Sequence, residues 1–178
     1  MANLFQVWDE DIQALGAAKA SDDQIEARRQ QLAEHFKAKA KAAGLSSKKI
    51  YETLVNFQNK KNVHIFGNGG SASIASHFSM DLTNNSNLRC MSYNDSAIIT
   101  CYANDFKFEN WVSRAITKYG NKNDVLILIS SSGTSKNMVN AVKTARKKKF
   151  KRIISFTGFD NNNYLTKKSD INFWIKST

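Results

Sequence analysis

The sequence has 178 residues, enough for one domain with a hydrophobic core, and 42% of them are hydrophobic, as in soluble globular proteins. It contains no run of eighteen apolar residues and no basic, apolar leader, so we expect neither a membrane span nor a secretory signal. A formal net charge of +11 favours anionic ligands, whether nucleic acid, anionic membrane or phosphorylated metabolites. The two cysteines, Cys90 and Cys101, make no disulfide framework and no structural zinc motif, which indicates a reducing, cytoplasmic setting.

The first 46 residues differ in composition from the rest and are predicted to be helical. They hold eleven alanines and one asparagine, against seven alanines and eighteen asparagines in the remainder. Ser21 and Gly44 bound a predicted helix over about 22–43 as its N-cap and its C-terminal stop. The segment is either a separately acquired piece or, as we favour, a helical hairpin beside an α/β core. We therefore divide the chain into a helical segment, 1–46, and a domain, 47–178.

From residue 47 onward the pattern alternates between short apolar strands and helices. The predicted strands are 63–66, 90–93, 125–129, 152–157 and 171–175. The predicted helices between them cover about 71–83, 96–118 with a break near 104–105, 135–149 and 161–168. Strands separated by helices form a parallel sheet with right-handed crossovers. The predicted fold is α/β: a five-stranded parallel sheet flanked by helices, with an N-terminal helical extension.

Two strand-to-helix turns are unusually rich in small polar residues. The first, 67–73, reads Gly-Asn-Gly-Gly-Ser-Ala-Ser, and its glycines let the backbone approach an anion at a helix N-terminus. The second, 130–135, reads Ser-Ser-Ser-Gly-Thr-Ser, and five hydroxyls in six residues suit a phosphate dianion. Taken singly, the first is also explained as a tight connection and the second as a capping turn. Together they predict a phosphate site.

Nucleotides and nucleic acids fit these features less well. Neither turn matches the phosphate loop of nucleoside triphosphatases, and the first lacks the downstream acid of a dinucleotide site, so no nucleotide cofactor is expected. The densest basic run, 143–152, is interpreted as the solvated end of a helix, where cations complement the helix dipole. The run contains a single aromatic residue, Phe150, and no RNA-binding signature, so we do not expect it to bind nucleic acid.

These motifs resemble the sugar isomerase (SIS) domain family, and within it the sedoheptulose 7-phosphate isomerases. The similarity runs from about residue 47 to 176 and is carried by four segments: 67–73, HFSMDL at 77–82, NDFKFE at 104–109 and DVLILISSSGTS at 124–135. The resemblance implies a flavodoxin-like three-layer sandwich in a homo-oligomer, dimer or tetramer. It also implies an aldose–ketose isomerisation of a sugar phosphate, through an enediol, for lipopolysaccharide or capsule sugars.

The resemblance also implies roles for single residues. Sugar and phosphate contacts are expected from Asn68, Gly69, Gly70, Ser71, Asp95, Ser130, Ser131, Ser132 and Ser135. His77 and Asp81 stand four residues apart, hence on one helix face. In the family this pair is a histidine and a catalytic glutamate, and both can ligate zinc, so His77 and Asp81 are the expected catalytic and zinc-binding residues. Taken alone, His77 is equally explained as a partly buried histidine and Asp81 as a solvated carboxylate.

Two departures from the family pattern leave the activity open. Asp81 replaces glutamate, and a displacement of the carboxylate by about 1 Å lowers the rate on the order of a hundredfold. Family members also carry a helix after the last strand with a histidine and a glutamine, whereas the printed sequence has no histidine after His77 and ends at Thr178. The alternatives are a shortened isomerase, a form with lost or altered activity, or a non-catalytic module that binds sugar phosphate or a protein partner.

Overall fold

The computed structural model describes residues 62–86 and 88–176. The predicted helices before residue 62 and the domain boundary at residue 46 lie outside these ranges. In the part of the chain that is described, no helix is both long and apolar enough to span a bilayer.

All five predicted strands and the helices between them are present. The strands are β1 (Val63–Gly67), β2 (Cys90–Ser92), β3 (Val125–Ser130), β4 (Arg152–Thr157) and β5 (Ile171–Trp174). The helices are α1 (Gly70–Ser86), α2 (Ser96–Phe106), α3 (Trp111–Tyr119), α4 (Lys136–Lys147) and α5 (Tyr164–Lys168), and a 3₁₀ turn (Phe108–Asn110) joins α2 to α3. The alternation of strand and helix read from the sequence is therefore confirmed, with element ends shifted by a few residues.

The five strands form one parallel sheet in the order β2-β1-β3-β4-β5, which confirms the predicted fold class. This is the strand order of flavodoxin-like sheets, in which ligands bind where the winding direction reverses. The reversal here lies between β1 and β3, which pair from Val63 opposite Val125 to Gly67 opposite Ile129. The carboxyl ends of these two strands therefore share one edge of the sheet.

The central strand β3 is buried along its whole length, as the all-apolar run predicted. Ile127 belongs to the core beneath α1, with Phe78 and Leu82 of that helix. Leu128 belongs to the opposite core, with Trp111 of α3 and Met138 of α4. Side chains alternate between the two faces of a strand, so one run of six residues supports a helix layer on each side.

The predicted break in the helix over 96–118 is real but falls a few residues further along. Helix α2 ends at Phe106, and Lys107 has a left-handed φ of 69°. The guanidinium of Arg114 in α3 lies 3.8 Å from the centre of the Phe106 ring, a cation–π contact that bridges the break. Lysine is not a characteristic helix stop, which explains why the sequence misplaced the break.

A buried polar cluster lies where β1 and β3 begin, at the opposite end of the strands from their carboxyl edge. His64 Nε2 lies 3.0 Å from Asp124 Oδ2, and His64 Nδ1 lies 2.8 Å from the Tyr93 hydroxyl. Asp124 also accepts hydrogen bonds from the backbone N–H groups of Asn62 and Asn121. Burial lowers the pKa of His64, against the opposing hydrogen bond and charge of Asp124. His64 is thus held as a neutral core residue.

Candidate functional site

The two predicted phosphate turns are neighbours at the carboxyl edge of the sheet. Gly67 ends β1 directly opposite Ile129, one residue before the end of β3. A side chain at Gly67 would overlap the backbone of Ser71 and Ala72, so glycine is required for α1 to begin this close to the strand. Both turns therefore border the crevice at the switch point.

A reciprocal pair of amide hydrogen bonds joins the turns. Asn68 Nδ2 donates to Asn137 Oδ1 at 3.1 Å, and Asn137 Nδ2 donates to Asn68 Oδ1 at 2.8 Å. Asn68 lies in the first turn, and Asn137 is the second residue of α4, immediately after the second turn. Asn137 was not predicted, because its partner is 69 positions away in sequence. We call this pair the amide clasp.

Two backbone N–H groups at the centre of the first turn have no acceptor among the described residues. The N–H groups of Ser71 and Ala72 donate back to the carbonyls of Asn68 and Gly69, at 3.0 and 2.9 Å. Within residues 62–86 and 88–176, the N–H groups of Gly69 and Gly70 have no acceptor. Gly69 has a left-handed φ of 55° and open space around it. Two consecutive free N–H groups at the start of a 17-residue helix form a site suited to an anion.

The second turn is fixed by the packing of Gly133 and by hydrogen bonds to two of its serine hydroxyls. Gly133 has a left-handed φ of 62° and packs against Asn163, whose side chain a larger residue would displace. Ser130 and Ser132 use their Oγ atoms to accept the N–H groups of Gly133 and Thr134, both at 3.3 Å.

The remaining serines of this turn are free for a ligand. Ser131 is exposed, and Ser135 is the N-cap of α4 without a capping hydrogen bond from its side chain. In the described part of the chain, neither hydroxyl has a hydrogen-bond partner. Of the four serines predicted to bind phosphate in this turn, two therefore also accept backbone N–H groups; accepting leaves the O–H of a hydroxyl available, so all four retain a donor.

A third group at the same edge follows β2. Asp95 Oδ1 accepts the N–H groups of Ala97 and Ile98, at 2.9 and 3.2 Å, and so caps α2. Asn94 Nδ2 donates to the carbonyl of Ala72 at 2.7 Å and to Ser76 Oγ at 2.9 Å, tying this loop to α1. The structure gives Asp95 a capping role beside the crevice, and its predicted substrate contact stays a prediction. Asn94 belongs to none of the recognised motifs, so its role was not predicted.

His77 and Asp81 share one face of α1, as their spacing predicted. His77 Nε2 lies 3.4 Å from Asp81 Oδ2, and the two side chains are 72% and 25% exposed. His77 is therefore not the partly buried histidine of the alternative interpretation. A partly shielded carboxylate touching an exposed imidazole has the composition needed for proton transfer.

The pair does not by itself complete a metal site. No group of three or more His, Cys, Asp or Glu side chains is placed to hold a metal ion within 62–86 and 88–176. A catalytic zinc is usually held by three protein ligands, and these residues supply two.

Comparison with known proteins identifies the architecture. The SIS domain family matches residues 23–158, which is most of the sequence. The chain belongs to the SIS domain family. The match begins inside the segment 1–46, and the domain boundary at residue 46 stays a prediction. The amide clasp, the two turns and the His77–Asp81 pair are thus features of a SIS domain.

The chain is similar in sequence and structure to phosphoheptose isomerases. The relative from Buchnera aphidicola subsp. Acyrthosiphon pisum is 40% identical over 125 residues, covering 67% of this chain and 64% of the relative. The phosphoheptose isomerase structure from Francisella tularensis has a TM-score of 0.69 at 25% identity and covers 86% of each chain. That from Neisseria gonorrhoeae has a TM-score of 0.64 at 28% identity, covering 84% of this chain and 78% of that one. This SIS domain chain thus spans just under two thirds of the length of the curated relative.

Proposed function

We propose that this chain is an aldose–ketose isomerase that converts sedoheptulose 7-phosphate to a manno-heptose 7-phosphate. The observation that carries the proposal is the pair of adjoining turns joined by the amide clasp; within the described residues, the N–H groups of Gly69 and Gly70 and the hydroxyls of Ser131 and Ser135 have no partner. The similarity to phosphoheptose isomerases, in sequence and in structure, supports the substrate.

The phosphate would sit between the two turns. Helices α1 and α4 both begin at this edge, and the positive ends of their dipoles favour a dianion there. Backbone N–H groups and serine hydroxyls hold phosphate by geometry as well as charge, because each donor points to a fixed position. The crevice thereby fixes one end of the sugar and leaves the other end to reach α1.

The distance along α1 between the first turn and His77 matches the length of a sugar phosphate with a seven-carbon chain. Ser71 and His77 are six residues apart, which is about 9 Å along the helix axis. An extended seven-carbon chain with its phosphate measures roughly 10 Å, at about 1.2 Å per bond as in an extended backbone. A phosphate held at the first turn would therefore bring C1 and C2 of a heptose near the His77–Asp81 pair.

The reaction moves one proton between two carbons. Asp81 removes a proton from C1 of the ketose, the C–H electrons form the C1–C2 double bond, and the C2 carbonyl oxygen takes a proton from the imidazole of His77. The resulting enediol then loses the O1 proton to His77 and receives a proton at C2 from the Asp81 carboxyl. Acid–base catalysis of this kind requires both groups within hydrogen-bond reach of the reacting atoms.

Further features of the assembly are part of the proposal. Helix α2 buries none of its residues, and Met80 and Phe108 expose more than half of their surface, which supports a homo-oligomer, dimer or tetramer. A zinc ion on His77 and Asp81 would need a further ligand from outside the described residues, so no step is assigned to it. The heptose product would serve lipopolysaccharide or capsule sugars in the cytoplasm.

The test is turnover of sedoheptulose 7-phosphate by the purified full chain. We expect conversion to the aldose, abolished in Asp81→Asn and retained in the matched control Asp160→Asn, whose carboxylate only caps its own loop through the Asn162 N–H. An inactive wild type that heptose phosphates stabilise against heat would instead be a non-catalytic binding module. A wild type that neither turns over nor is stabilised would contradict the phosphate site itself.

A further inference from the structure

We propose that Asn137 is a positioning residue: through the amide clasp it orients the Asn68 side chain so that the remaining N–H of Asn68 points to the bound sugar phosphate. This inference rests on the proposed function, since it concerns the same crevice. It assigns a role to a residue that makes no predicted contact with the ligand.

The orientation of Asn137 is fixed by the backbone. Asn137 Oδ1 accepts Nδ2 of Asn68 at 3.1 Å and the N–H of Met138 at 3.0 Å, a donor that it shares with the Ser135 carbonyl at 2.9 Å. A backbone N–H is always a donor, so the Asn137 atom facing it must be oxygen. With the oxygen placed, its amide nitrogen must face Asn68.

The orientation of Asn68 follows from that of Asn137. A side-chain amide has two N–H donors and two acceptor lone pairs. The reciprocal bonds of 3.1 and 2.8 Å use one donor and one lone pair of Asn68. The second N–H of Asn68 is left on the edge of the amide away from Asn137, and it has no acceptor in the described residues.

Burial makes Asn137 a rigid support. Its side chain is 2% exposed, packed at the start of α4, whereas Asn68 is only half-buried in the first turn. The terminal torsion of an asparagine is broad and close to twofold, so an unsupported Asn68 could turn either its oxygen or its nitrogen toward the crevice. An oxygen facing a phosphate would repel it, and the clasp prevents that rotation.

A double-mutant cycle on ligand affinity tests this role. Binding of sedoheptulose 7-phosphate, with inorganic phosphate as a second probe, is measured by calorimetry for wild type, Asn68→Ala, Asn137→Ala and the double variant. We expect each single variant to bind about tenfold more weakly, the effect of one hydrogen bond to a charged group, and the double variant to be no weaker. Asn140→Ala is the matched control, because Asn140 lies on the same helix but bonds to Glu109 and Asn110.

Asn137→Asp separates positioning from capping. A carboxylate still accepts the Met138 N–H and lies at the positive end of the α4 dipole, but it places a charge at a residue that is 2% exposed, so the melting temperature should fall below that of wild type. Its second oxygen, however, would face Asn68 Oδ1, so we expect sugar-phosphate affinity to fall at least as far as in Asn137→Ala. This variant also keeps the test decisive if Asn137→Ala does not fold.

The outcomes separate the two proposals. A double variant about a hundredfold weaker than wild type would show that the asparagines act independently, and the positioning role would be wrong. The same conclusion follows if Asn68→Ala weakens binding while Asn137→Asp binds as wild type does. If the wild type binds neither probe, the phosphate site fails, and the role of Asn137 fails with it.

Discussion

Two histidine–aspartate pairs in this molecule have the same chemistry and opposite surroundings. His64 and Asp124 lie 3.0 Å apart with side chains 3% and 2% exposed, and each makes further hydrogen bonds in the core. His77 and Asp81 lie 3.4 Å apart with side chains 72% and 25% exposed. The first pair is fixed between strands, whereas the second projects from one helix.

The difference teaches that partners and burial, not residue types, decide which pair can react. Both carboxylate oxygens of Asp124 accept hydrogen bonds, and burial lowers the pKa of His64. We therefore do not expect the inner pair to exchange protons with a ligand. The outer pair can exchange protons with a ligand because solvent and substrate reach it. The same substitution should therefore damage stability at one pair and activity at the other.

The largest expected effect is on catalysis at the outer pair. His77→Gln removes the proton donor and should lower kcat by about a thousandfold, within the usual range for an acid–base group. Its free energy of unfolding should not change, because the side chain is exposed. His64→Gln is the matched substitution and should lower the melting temperature instead. Steady-state kinetics and thermal melts of both variants check this prediction. Equal losses of kcat in the two variants would contradict a catalytic role for the outer pair alone.

Next in size is the loss of stability at the inner pair. Asp124→Ala leaves His64 Nε2 and the N–H groups of Asn62 and Asn121 without their acceptor. We expect a loss of about 3 kcal/mol in the free energy of unfolding, measured by urea denaturation. Asp81→Ala serves as the control, with a change within about 0.5 kcal/mol, as for other surface substitutions. A comparable loss at Asp81 would mean that the outer carboxylate is also structural.

A smaller effect is expected from the glycines of the two turns. Gly133→Ala combines a left-handed φ with overlap on Asn163 and should lower stability by about 2 kcal/mol. Gly69→Ala meets only the backbone penalty, about 1 kcal/mol, since the space around it is open. Denaturant melts of both variants give the comparison. Equal losses of stability in the two variants would show that the Asn163 side chain moves aside without an energetic cost.

The effect that is smallest near neutral pH is the titration of His64 in the inner pair. Because burial lowers the pKa of His64 in the folded state, the unfolded chain binds a proton below about pH 6.5 that the folded chain does not. Stability should therefore fall as the pH drops below that value, by no more than about 1.4 kcal/mol per pH unit for one proton. Denaturation of wild type and His64→Gln between pH 5 and 8 measures the contribution as the difference in slope.

The groups facing His64 are Asp124, Tyr93 and, more distantly, the cation of Lys148, which also disfavours protonation. An unchanged slope in His64→Gln would assign the dependence to other groups.

Much of this architecture could be predicted from local pattern. The apolar run of β3 predicts a buried strand, and Gly67 at the end of β1 predicts a tight turn, because both depend on residues within a short stretch of sequence. The amide clasp was not predicted: the adjacency of the two turns was expected, but the pairing of Asn68 with Asn137 across them depends on side-chain positions that no local pattern fixes. Likewise the end of α2 at Lys107, beside the contact of Arg114 with Phe106, is not marked by the helix propensity of lysine.

Helix α2 has a consequence for the dynamics of the crevice. It runs from Ser96 to Phe106 without one fully buried residue, and it begins at the cap supplied by Asp95. In a single subunit, a segment with so little buried surface opens at a small fraction of the global free energy, so its amides should exchange with deuterium long before those of β3, and the oligomer contact proposed for this helix should slow that exchange. The segment after β2, beside the two turns, can thereby move when a sugar enters while the sheet that carries the turns stays folded.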